Sequence, residues 1–185
     1  MENILSIEID GEIFRYINNT WVDSMYCEAP GNILNQIYDN LIERADETSY
    51  ETLLEYAKVM KNSEHYAQAS QLIDYLIKNC DRAKIGKNNI LLSLIPMETS
   101  CLRAMHNPRG AIEFFNNIIN EYDVAHYSSS LYTSIAAAYC DIDDYDNSLK
   151  YAKIACALNT QEKAFELIYL IKRLKVVLGE DCFNN

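Results

Sequence analysis

Asp141, Asp143, Asp144 and Asp146 crowd one short stretch of the chain, and such a run of oxygen donors could in principle hold a cation. A calcium loop needs alternating oxygen ligands over about twelve residues, closed by a glutamate. Here the acids end at Asp146 and Tyr145 breaks the alternation. Asp143 or Asp144 is therefore expected to cap a helix beginning at Tyr145. Cys27, Cys80, Cys101, Cys140, Cys156 and Cys182 form no CxxC pair, so they read as reduced, buried small hydrophobes, with Cys182 the most exposed. His65 and His106 fall in expected turns and read as solvated. No glycine-rich phosphate loop, HExxH or nucleophile elbow is present. The fourteen tyrosines lack a partner constellation for catalysis and suit packing between helices, with hydroxyls reaching water. The expectation is a non-enzymatic protein with no catalytic, cofactor or metal residues.

The elements that would position these groups are mostly helices. Five glycines and three prolines in 185 residues are too few for a sandwich or barrel. Ile4, Ile7 and Ile9 precede Asp10-Gly11, and Ile13, Phe14, Tyr16 and Ile17 follow, which predicts a β-hairpin. Asn18-Asn19 would turn the chain into a third strand at Thr20-Trp21-Val22, with Trp21 packing the sheet onto the first helix. Ile33, Leu34, Ile37, Tyr38, Leu41 and Ile42 then mark a helix over 32–45 with one apolar side. Three helical hairpins follow, with small residues Ala69, Ala111 and Ser148 at matching places 42 and 37 residues apart. Pro96 is expected to kink the first helix of the middle hairpin or delay its start. Asn107 and Pro108 suit the cap and first turn of the next helix. A last amphipathic helix is expected over 161–178, ended by Gly179 and followed by a mobile tail.

In the third hairpin, Tyr132, Ile135, Ala136 and Tyr139 follow an aromatic-x2-aliphatic-small-x2-aromatic spacing, with Tyr145, Ser148, Ala152 and Ala155 on the turn and second helix. Leu53, Tyr56, Ala57 and Met60 repeat the spacing in the first hairpin. Over about 50–178 the chain thus resembles the tetratricopeptide-repeat superfamily. It departs from that pattern where Tyr132 replaces tryptophan, Ala136 replaces glycine and Thr160 replaces proline. The resemblance implies a mainly α fold, a right-handed solenoid of antiparallel helical hairpins over 31–185, to which the hairpin signals near the N-terminus add a small three-strand β appendage over 1–30. It also implies a groove lined by the first helices, with Lys58, Lys61, Ser100, Arg103, Thr133, Ala137 and Asp141 facing it. Leu54 and Ala137 stand where a chaperone-tail carboxylate clamp needs polar groups, which argues against that role.

Charge supplies the second reading. Residues 1–50 hold ten acidic side chains against Arg15 and Arg44, whereas 51–185 hold seventeen against fourteen. A chain of net charge −11 repels phosphate backbones, so no direct nucleic-acid binding is expected. No leader and no membrane-spanning run is visible, and a cytoplasmic location is expected. The partner is expected to be another protein, held in the groove of an adaptor or scaffold; a homodimer is compatible with this. The alternative is an inhibitor, such as an immunity protein or antitoxin, whose acidic head (Asp39, Glu43, Asp46, Glu47) neutralises a basic toxin or nuclease.

Overall fold

The computed structural model describes residues 5–18, 20–82, 87–122, 128–158 and 165–184. It is mainly helical, with a small three-stranded antiparallel sheet near the N-terminus. The chain divides into two compact units, residues 1–78 and 79–185. No helix among the described residues is long and apolar enough to cross a membrane.

In the first unit, β1 (Ser6–Ile9), β2 (Glu12–Ile17) and β3 (Thr20–Val22) pair in sequence order. Asp10 and Gly11 turn the chain with φ of 52° and 82°, the double positive φ that an Asp-Gly hairpin accommodates. The register places Ile7 opposite Phe14 and Tyr16 opposite Trp21. Ile7, Ile9, Phe14 and Trp21 are buried, while Ile13 is exposed on the other side of the sheet. β1 packs on α1 (Gly31–Glu43), which contributes Ile37, Tyr38 and Leu41 to the core. A 3-10 turn, Ala45–Glu47, leads to the hairpin of α2 (Tyr50–Asn62) and α3 (Tyr66–Lys78). Ser49 caps α2 by accepting from the Thr52 backbone N–H, and Tyr50 Oη donates to the Leu76 carbonyl across the hairpin.

The second unit contains α4 (Lys87–Ala104), α5 (Pro108–Tyr122), α6 (Ser129–Asp141), α7 (Tyr145–Leu158) and α8 (Phe165–Leu178). α4 runs continuously through Pro96, contrary to the expected delay. Proline removes one backbone donor, but buried Ile90, Leu91, Leu94 and Ile95 hold this stretch of helix against its neighbours. The start of the final helix expected at 161 lies outside the described residues, as does Thr160. The expected mobile tail is instead a 3-10 turn, Glu180–Phe183, with Phe183 packed against buried Ala136, Ala137, Cys140, Ala152, Leu170 and Leu174. Gly179 reaches φ 95° and ψ 156°, a region essentially reserved for glycine, and so reverses the chain onto that core.

The three hairpins α2–α3, α4–α5 and α6–α7 share one turn. Glu64, His106 and Asp143 each take φ near 60°. The following N–H groups of His65, Asn107 and Asp144 reach back five residues to the carbonyls of Met60, Leu102 and Tyr139 at 2.9, 2.9 and 3.0 Å. This is the bonding of a Schellman C-cap. Asn107 Oδ1 and Asp144 Oδ1 then cap the next helices, accepting from the N–H groups of Gly110 and Asn147. Glutamate gains little in the left-handed region, so Glu64→Gly is expected to stabilise the protein by about 0.5–1 kcal/mol in thermal unfolding. A lower melting temperature for that variant would contradict the turn geometry.

Candidate functional site

In the second unit a charge network joins three helices. Arg103 lies in the last turn of α4, where a cation complements the helix dipole. Asp141 ends α6, where an anion is unfavourable unless compensated. Arg103 Nε donates to Asp141 Oδ2 at 2.7 Å, and Arg103 also donates to Glu166 Oε1 at 3.0 Å. Arg173 from α8 donates to Asp141 Oδ1 at 2.8 Å. That hydrogen bond to Asp141 holds the Arg173 guanidinium firmly charged. Two cations and two anions thus cancel.

The sequence singled out Arg103 and Asp141, and they meet directly. It missed Glu166 and Arg173, which reach the same point from α8. Thr133, placed in the groove from sequence, is buried, and its hydroxyl donates to the Ser129 carbonyl at 2.8 Å. It cannot present that hydroxyl to a ligand. Ala137 is also buried, and Ser100 is half-buried. In the first unit Lys58 donates to Glu55 at 2.6 Å, and Lys61 is half-buried in the last turn of α2. Arg103 and Lys58 are therefore each already engaged in ion pairs within their own units.

Beside the network, aromatic rings join α5, α6 and α7. Tyr151 stacks on Tyr132 and Tyr139 at 6.1 and 5.6 Å, and Phe115 meets it edge-on at 6.2 Å. Burial, with Tyr151 close by, pushes the Tyr139 phenol up, so Tyr139 stays neutral and packs against its neighbours. Burial likewise raises the Cys140 thiol, which disfavours the nucleophilic thiolate. Cys27, rather than Cys182, is the exposed cysteine. His65 is not a solvated turn residue: its ring packs edge-on against Tyr38 at 4.5 Å, and Nδ1 lies 2.8 Å from the Ser63 carbonyl.

The acidic face of the first unit converges more strongly than its sequence suggests. Buried Ile7 and Ile9 alternate with exposed Glu8 and Asp10 along β1 and its turn. Asp39 and Glu43 lie one turn apart on the outer side of α1. These four carboxylates, with Gln36 and Asn40, bound one open cleft of about 300 Å³. Among the described residues no cluster of His, Cys, Asp or Glu is arranged to hold a metal ion. Asp46 accepts from the Tyr75 hydroxyl at 2.7 Å, while Glu47 is exposed on the 3-10 turn after α1. Glu8 and Asp10 could have been found from the alternation of β1, which sends them to the solvated side.

No family model, no curated protein and no solved structure matches this chain.

Proposed function

We propose that the protein is a non-enzymatic interaction module, built on tetratricopeptide-like helical hairpins, whose acidic cleft takes a basic segment of a partner protein. The observation that carries this reading is the convergence of Glu8, Asp10, Asp39 and Glu43 on one open cleft. Exposed like charges held together raise the local potential and attract a polycation from a distance. The partner's lysines or arginines relieve that repulsion. Gln36 and Asn40 supply neutral hydrogen-bonding groups between the charges.

The test is calorimetric titration with an arginine-rich peptide at low and high salt. Asp39→Asn combined with Glu43→Gln is expected to weaken binding on the order of tenfold at low salt and to flatten its salt dependence. Equal affinity of the variant and the parent protein would remove the cleft from consideration.

A basic toxin or nuclease is one class of partner that such a cleft would suit, and an adaptor for a basic tail is the other. Binding along the first helices of the second unit, α4 and α6, is a further reading, supported by the packing of these two helices and the common turn of their hairpins. The ion pairs of half-buried Arg103 with Asp141 and Glu166 favour the cleft over that surface.

A further inference from the structure

α8 has two apolar sides. Leu167, Leu170 and Leu174 are buried and tie the helix to the second unit. At about 100° per residue, Phe165, Tyr169 and Val176 fall on the opposite side. They are 92 %, 66 % and 86 % exposed. Lys172 completes this outer stripe and has no hydrogen-bond or ion-pair partner among the described residues. A surface helix normally needs one apolar side, and a second one calls for a cover.

We propose that this stripe is a self-association surface, covered by the same stripe of a second copy of the chain in a two-fold, antiparallel arrangement. The stripe is complementary to itself in that direction. With the axis crossing midway between Leu170 and Ile171, Phe165 faces Val176 of the partner subunit. Tyr169 then faces Lys172 of the partner subunit, a cation over an aromatic ring. Glu166 and Arg173, on one edge of the stripe, stay in the charge network of their own unit, so the stripe itself meets the second copy through its aromatic, aliphatic and lysine side chains. Parallel packing would instead set Lys172 against Lys172. The exposed parts of these side chains and of Val177 come to roughly 500–600 Å² a copy, which puts a pair near the lower edge of the range for specific interfaces. A cleft of about 350 Å³ bounded by Tyr145, Tyr169 and Val176 gives the incoming side chains a recess beside the stripe. The proposal does not depend on the acidic cleft, which belongs to the other unit.

Sedimentation equilibrium on the full chain tests it. A monomer–dimer equilibrium with a dissociation constant on the order of tens of micromolar is expected for an interface of this size. Tyr169→Asp and Val176→Asp change exposed positions, so circular dichroism should be unaltered while dimerisation weakens at least about tenfold. With exposed Cys27 replaced by serine, chains carrying Phe165→Cys and Val176→Cys, mixed and oxidised, should cross-link to each other faster than Val176→Cys chains cross-link among themselves. A monomer throughout the concentration range, or a dimer indifferent to both aspartate substitutions, would overturn the proposal. Equal cross-linking of the mixed and unmixed chains would overturn the antiparallel arrangement.

Discussion

Trp21→Ala is expected to cost about 3–5 kcal/mol, the range for removing a large buried aromatic side chain. Trp21 is fully buried beneath β3, with Tyr16 at 5.5 Å between ring centroids. The cost is comparable to the whole stability of a small domain, so the first unit should unfold while α4 to α8 persist. Hydrogen exchange read by mass spectrometry checks this: peptides from 6–78 should lose protection and those from 129–158 should keep it. Trp21→Phe separates packing from polarity. The indole Nε1 makes no well-formed hydrogen bond and only approaches the Tyr38 phenol, so phenylalanine gives up mainly ring volume and should cost about 1–2 kcal/mol. If alanine and phenylalanine prove equally mild, Trp21 does not anchor the unit. The adjoining Tyr38 is buried as well, and desolvation lifts its phenol above the usual range despite the nearby Ser63 hydroxyl and Trp21 indole. It therefore stays neutral, and the packing should not titrate near neutrality.

Local signals in the sequence were legible where one physical requirement dominated. Asp10-Gly11 specifies a turn because both residues tolerate positive φ, and the β1–β2 hairpin follows from it. Asn107-Pro108 and Asp144 read correctly as helix starts because the orphan N–H groups there need an acceptor. Pro96 did not delay the start of α4, because the burial of a long helix outweighs its local cost. The tail after Gly179 looked polar and short, yet a single Phe183 is enough to fix it on the core. Thr133 was misassigned because sequence gives a helix side only to within a residue or two, and His65 because Tyr38 of a neighbouring helix covers its turn, a contact with no local signature. The charge clusters were legible only in part. Asp39 and Glu43 are spaced for one side of a helix, but their meeting with Glu8 and Asp10 is a tertiary contact with no short-range signature. The same holds for Arg173 and Glu166 at Asp141.

Ala136→Leu is expected to destabilise the second unit by about 1–3 kcal/mol through overpacking. Ala136 is fully buried where α6 crosses α7, and Ala152 and Ala155 are equally buried on the facing helix. The close approach is tied at two places. Ser148 Oγ donates to the Ala136 carbonyl at 2.8 Å, and Ser129 Oγ donates to the Ala155 carbonyl at 2.9 Å. Leucine at 136 must part the helices, and doing so stretches the Ser148 bond and loosens the neighbouring cluster that holds Phe183 and α8. Ser148→Ala removes the hydroxyl without adding bulk and should cost only about 1 kcal/mol. The double variant discriminates between the two effects. If leucine has already broken the hydroxyl tie, adding Ser148→Ala should cost almost nothing more, a coupling that thermal unfolding of the four proteins would measure. Full additivity would mean that the helices absorb leucine elsewhere and that the small residues do not set their spacing. An unchanged melting temperature for Ala136→Leu would refute close packing of this hairpin outright.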